Sequence, residues 1–273
     1  MQLLKINKEH YIGQADPFIF LSQGSFYIYT TGEDGVYAYS SGTLLGEWKF
    51  CGRVFSMEGK RDFWAPCVIE IEGTYYLYCS VTLNDSVPDQ AGHKQCLFVS
   101  TSSSPLGPFA QPRQLLPPFS IDPHVIKNEE GLFLFYSTNR FDGERVGTYI
   151  AVDRLLDPFT PKREPVPVVV PTMDEEISQR DKYRKGENWH TIEGAFYFRD
   201  GEWQYVMYSG GSFEAENYFI GYARAKASET DLTKIKFEKF PDGRAFLPVI
   251  DANAWEEGTG HHSVIRWKGQ YYA

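Results

Sequence analysis

Apolar residues along this chain fall in short runs separated by polar, glycine-containing turns, and no long stretch repeats at helical spacing. Five segments share one pattern: "ADPFIFLSQGSFYIYTT" from Ala15, "WAPCVIEIEGTYYLYCS" from Trp64, "IDPHVIKNEEGLFLFYSTN" from Ile121, "IEGAFYFRDGEWQYVMYSGG" from Ile192 and "GHHSVIRWKGQYYA" from Gly260. Each is an apolar run, a turn with Gly, and a second run dense in Tyr, Phe and Ile, which is a β-hairpin signal. A further element follows the first three hairpins, "LLGEW" ending at Trp48, "PLGPF" ending at Phe109 and "LLDPF" ending at Phe159; the fourth offers the weaker "DLTKIKF".

Self-similarity at this period indicates a repeat architecture. Five sheet-forming units predict an all-β, five-bladed β-propeller, in which blades repeated around a channel protect the sheet edges. A β-sandwich would not need five similar hairpins. The expected organisation is a single propeller catalytic domain over residues 1–273, with the fifth blade incomplete where the sequence stops at "GQYYA". The most polar stretch, from Thr172 to Trp189, reads as a long loop over one face; such loops are uncommon unless functional.

Composition narrows the partners. The net charge of -9 argues against nucleic acid, whose phosphates demand a basic patch. With 18 Tyr, 20 Phe and 6 Trp, the chain has aromatics to spare for strands and for flat sugar-binding surfaces. The opening "MQLLKINKEHYIG" lacks a signal-peptide core, and no later run has the length of a membrane span. These features lead to the expectation of a cytoplasmic protein with no membrane partner. Cys51, Cys67, Cys79 and Cys96 include no C-x-x-C pair and read as reduced, buried thiols.

Aligned on the residue that starts each hairpin, the units present Asp16, Ala65, Asp122, Glu193 and His261. In a propeller these positions would lie at similar depth around one axis. An isolated Asp before Pro is an ordinary turn residue. Three clustered carboxylates are another matter, because like charges and burial both disfavour ionisation, and folding alone gives no reason to accept that cost. Glycoside hydrolysis does: one protonated carboxyl donates to the leaving oxygen and an ionised one activates water.

At these residues the chain resembles the five-bladed propeller enzymes of glycoside hydrolase family 43. The matching motifs are "ADP" at Asp16, "WAP" at Trp64, "IDPHV" at Asp122, "IEG" at Glu193 and "GTGHHSV" at His261. The resemblance implies an inverting glycosidase acting on arabinofuranosyl or xylosyl linkages of plant-derived oligosaccharides. It implies Asp16 as general base, Asp122 as the orienting residue and pKa modulator, and Glu193 as general acid. It also implies a central histidine at His261, beside a bound cation or water cluster; no cofactor is required for the chemistry, with room for a structural cation such as calcium. Trp64, Trp189 and His261 are candidate substrate contacts. The absence of Asn-Asp-Pro-Asn and Arg-Asp-Pro signatures argues against a fructosidase. Two alternatives remain open at this level. A glycoside phosphorylase would need a phosphate pocket, for which Arg61, Arg140 and Lys185 are available but scattered, and a non-catalytic sugar-binding propeller would not need all three carboxylates.

Overall fold

The computed structural model describes residues 5–6, 14–83, 94–254 and 256–273. The leader reading of residues 1–13 therefore lies almost wholly outside the described residues. The described residues contain strands and two short 3-10 turns, Asp174–Glu176 and Leu232–Lys234, and no α-helix. They divide into two compact units, Met1–Ile121 with Ser263–Ala273, and Asp122–His262.

In the first unit, strands Phe18–Ser22, Ser25–Thr30, Val36–Ser41 and Glu47–Phe55 form one antiparallel sheet in sequence order, and Lys5–Ile6 adds in parallel to the last. Arg61–Ile71, Thr74–Thr82, Gln95–Ser102 and Ala110–Gln114 form a second. The predicted hairpin turns fall at Gln23–Gly24 and Glu72–Gly73, where both residues have positive φ. That backbone matches the right-handed twist of the flanking strands, and glycine at the second position adopts it without steric cost. The hairpin of Ile265–Trp267 and Gln270–Tyr272 turns the same way at Lys268–Gly269. Ile265, Trp267 and Tyr272 pack against Phe26, Ile28, Tyr39, Leu44 and Trp48, so the fifth repeat shares a core with the first.

In the second unit, Ile121–Asn128, Gly131–Arg140 and Gly147–Asp157 build a sheet to which Val166–Val169 adds as a further strand. Trp189–Asp200, Trp203–Gly210, Phe219–Lys226 and Glu238–Lys239 continue it, joined through a short parallel pairing of Gly147 with His190 and Thr148 with Thr191. A core of Phe133, Phe135, Ile150, Val152, Ile192, Val206 and their neighbours fills the unit.

The short third elements mark the outer edge of the sheets. Trp48 and Phe109 are buried where the chain turns into the strands Glu47–Phe55 and Ala110–Gln114. The segment from Thr172 to Trp189 departs from the expected surface loop: it contains the 3-10 turn and the strand Ile177–Gln179, and it buries Met173, Glu176 and Ile177. Its polarity in sequence conceals a buried ion pair, Glu176 with Lys239.

Candidate active site

Each repeat carries one backbone feature that its sequence does not announce. Asp16, Ala65, Asp122, Gly194 and His261 all adopt left-handed φ, between 48° and 62°. For residues other than glycine this conformation is sparsely populated and costs about 1 kcal/mol or more, so it persists only where surrounding structure holds it. Here the holding groups come from the preceding repeat. Ala65 N–H donates to Thr31 Oγ1 at 2.9 Å, Gly194 N–H to Asp122 Oδ2 at 3.1 Å, and His261 N–H to Ser209 Oγ at 2.7 Å.

This geometry corrects the alignment of the fourth repeat. The left-handed position there belongs to Gly194, and Glu193 stands one residue before it. Strand pairing gives the same answer: Glu193 lies opposite Ser209 and Phe196 opposite Met207, just as Trp64 lies opposite Ser80 and Cys67 opposite Tyr78. Each case places one extra residue in the first strand, a β-bulge. Glu193 therefore corresponds to Trp64, not to Asp16. A slip of one residue turns a side chain to the other face of a strand, so the general-acid candidate projects from a different register than the two aspartates.

In the first unit, Asp16 is half-buried, and its Oδ2 accepts a 2.5 Å hydrogen bond from Thr31 Oγ1. The Thr31 hydroxyl thus joins Asp16 to the Ala65 amide. Trp64 is half-buried, its carbonyl accepting from Ser80 Oγ at 3.3 Å. In the second unit, Asp122 is buried, and its Oδ2 also accepts from Ser137 Oγ at 3.1 Å. The peptide that ties to Asp122 is the one that follows Glu193, so the two carboxylate-bearing residues are brought together through backbone. Glu193 is half-buried, and its Oε1 accepts from the Tyr218 hydroxyl at 2.8 Å. The His261 ring lies against Gly194, where an added Cβ would stand 3.3 Å from Nδ1.

Two histidines of the second unit, His124 and His262, are buried. His124 is held neutral by burial, its pKa pushed down to about 4. His262 is pushed down to about 3, by burial first and then by His261 and His124. Calcium prefers a cage of six to eight oxygens. The Ser209 hydroxyl beside His261 is engaged by the His261 amide, and no set of three or more His, Cys, Asp or Glu side chains is placed to hold a metal among the described residues.

Trp189 stands four residues before Glu193 on the same strand and is buried. It borders an open cleft of about 480 Å³ that also exposes Phe141, Tyr183 and Arg145. Lys182 Nζ sits 4.1 Å from the centre of the Trp189 ring and Phe141 packs at 5.5 Å, so Trp189 is one wall of the cleft and the more exposed Tyr183 and Phe141 rings form its accessible surface. His190 is fixed as a neutral tautomer: Arg145 Nη1 donates to Nε2 at 3.0 Å, and Nδ1–H donates to the Val146 carbonyl at 3.1 Å. Burial accordingly pushes its pKa down. Sequence reasoning missed Tyr218 and the hydroxyls of Thr31, Ser137 and Ser209. Those hydroxyls left a trace, since each follows a Tyr within two residues at the end of the hairpin's second run. Tyr218 left none.

The family model described as Glycosyl hydrolases family 43 matches residues 12–273. The chain belongs to glycoside hydrolase family 43. Its fold class is the five-bladed β-propeller. This family 43 chain is 25% identical to an extracellular exo-α-(1→5)-L-arabinofuranosidase of Cellvibrio japonicus over 286 aligned positions, covering 94% of this chain and 76% of that protein. It is 36% identical over 96 residues to a "Probable arabinan endo-1,5-alpha-L-arabinosidase B" of Aspergillus oryzae; that match covers 33% of this chain and spans only a quarter of the relative's length. Among solved structures, a thermostable family-43 glycoside hydrolase superposes with a TM-score of 0.77 at 25% identity, over 93% of this chain and 80% of that one.

Proposed function

We propose that this chain is a glycosidase that cleaves arabinofuranosyl or xylosyl linkages in plant-derived oligosaccharides by single displacement with inversion. Glu193 serves as the general acid, Asp122 orients it and tunes its proton affinity, and Asp16 is the general base that activates water. Trp64 and His261 contact the sugar, and Trp189, itself buried, backs the Phe141 and Tyr183 rings that line the cleft. Family membership supports the reaction class. The similarity to an arabinan endo-1,5-α-L-arabinosidase of Aspergillus oryzae and to an exo-α-(1→5)-L-arabinofuranosidase of Cellvibrio japonicus supports the pentosyl substrate.

The observation that carries the assignment is the bond from the Gly194 amide to Asp122 Oδ2. It ties a buried carboxylate to the peptide that follows Glu193, so Asp122 fixes the backbone from which Glu193 projects. An acid in this position must hold a proton until the glycosidic oxygen takes it.

The test is leaving-group dependence. General acid catalysis is typically worth roughly 10² to 10⁴ in rate. Glu193→Gln is expected to lose that much on natural oligosaccharides and far less on aryl glycosides whose leaving groups need no proton, whereas Asp16→Asn impairs both alike. Equal loss on both substrates in Glu193→Gln removes the assignment. Proton NMR of the first-formed sugar, read before mutarotation, is expected to show the inverted anomer.

A further inference from the structure

The side chain that grips Glu193 comes from a different strand connection and has almost no freedom. Tyr218 lies between the strands Trp203–Gly210 and Phe219–Lys226 and is 4% exposed. Its amide donates to the Ala215 carbonyl at 3.3 Å, and its own carbonyl accepts from the Thr259 amide at 3.0 Å and from Thr259 Oγ1 at 3.3 Å. The ring rests on Gly260, where an added Cβ would stand 1.9 Å from a ring carbon. Gly260 is thus a glycine for close approach, since any side chain there would occupy the space of the phenol. Backbone pinned on both sides and a ring seated on bare backbone leave the hydroxyl one direction, toward Glu193 Oε1 at 2.8 Å.

We infer that Tyr218 is a positioning residue for the general acid, holding the Glu193 carboxyl by Oε1 in the orientation from which its proton passes to the leaving group. This rests on Glu193 acting as the acid. A neutral phenol is a donor to a carboxyl oxygen. In the catalytic step the carboxyl proton of Glu193 passes to the glycosidic oxygen as the bond to the sugar breaks, and Glu193 becomes a carboxylate while Tyr218 keeps its own proton. A hydrogen bond to an ionised acceptor is about twice as strong as a neutral one, so the tie strengthens as the step proceeds. Only interactions stronger in the transition state than in the ground state raise kcat. Two further titratable groups stand beside this stretch, Asp122, bonded to the Gly194 amide, and His261, whose ring faces Gly194.

The deciding experiment compares Tyr218→Phe, Glu193→Gln and the double variant of the full chain on a natural oligosaccharide and on an activated aryl glycoside. Tyr218→Phe is expected to lower kcat on the natural substrate roughly tenfold with KM within about twofold, and to affect the aryl glycoside much less. Because the lost bond favoured the ionised carboxylate, Glu193 keeps its proton to higher pH, and the alkaline limb of kcat/KM moves up by roughly half a unit to one unit. The double variant is expected to be no worse than Glu193→Gln. Gly260→Ala, which leaves the phenol intact but displaces the ring, is expected to move the same limb the same way. An unmoved alkaline limb in whichever of these two variants melts within about 5 °C of the parent, or full additivity in the double variant, overturns the inference. Equal loss on both substrates in Glu193→Gln overturns instead the acid assignment beneath it, and the inference with it.

Discussion

Thr31 holds two groups with one oxygen. Its hydroxyl donates to Asp16 Oδ2 and accepts from the Ala65 amide, so it stabilises the left-handed backbone of one repeat while orienting the carboxylate of another. Thr31→Val keeps the shape and loses both bonds. Ala65 is 3% exposed, and a buried amide left without a partner costs about 1–3 kcal/mol. Urea unfolding is expected to show a loss of that size in Thr31→Val, accompanied by lower activity, and Thr31→Ser is expected to recover most of both. A valine variant with unchanged stability would show that Ala65 finds another acceptor at no cost. The same logic assigns Ser209 to the His261 amide and Asp122 to that of Gly194.

At the scale of the element, the segment from Thr172 to Gln179 is secured by charge. Glu176 is fully buried; its Oε2 accepts from the amides of Thr172 at 2.6 Å and Met173 at 3.2 Å, and its Oε1 meets Lys239 Nζ. Lys239 also donates to Thr172 Oγ1 at 3.0 Å. Burial pushes the lysine pKa down and the Glu176 charge opposes that shift. Removing one partner of such a pair strands a buried charge, at a cost of about 3–5 kcal/mol, whereas removing both is far milder. Lys239→Met is therefore expected to lower the unfolding free energy by about that much, and Glu176→Gln combined with Lys239→Met to restore most of it. Full additivity of the two losses in a double-mutant cycle would contradict the coupling. The strand Ile177–Gln179 pairs with the first residues of Trp189–Asp200, so the ion pair also steadies the strand that carries Trp189, His190 and Glu193.

For the whole molecule, pH is the informative variable. The chain carries a net charge of -9 at neutrality and has a pI of about 5.2, so acidification from pH 7 to 5 moves its charge toward zero and relieves self-repulsion. His124 and His262 act in the opposite sense. Their folded pKa values, about 4 and about 3, lie below the ordinary 6.5 of the unfolded chain. The unfolded state therefore binds more protons between those values, and stability is complete above pH 6.5 and declines as pH falls through the window toward 4. His124 alone accounts for about 3 kcal/mol by pH 4. Urea unfolding at pH 7.5, 6 and 5 is expected to show steadily falling stability. Neither ring nitrogen of His262 meets a hydrogen-bond partner among the described residues, so His262→Leu is expected to flatten part of the slope without stranding another polar group. A flat or rising profile on acidification would assign control to net charge instead.

The repeats, the glycine turns of the hairpins, the aromatic residues at the outer strands and the carboxylates near Asp16, Asp122 and Glu193 were legible in the sequence because each is local chemistry. A turn that needs positive φ selects glycine within a few residues, and a half-buried strand alternates within its own length. The phase of the fourth repeat was not legible. "IEG" and "IDP" align by eye on their acids, yet the bulge puts Gly194, not Glu193, at the left-handed position of Asp122. Nor could the pattern show that Tyr218 meets Glu193, that Thr31 meets Ala65, or that the most polar stretch buries Glu176 against Lys239. Hydrophobic periodicity states which face of a strand is buried. Which polar groups meet depends on strand register and on segments far apart in the chain, and only the folded structure brings those together.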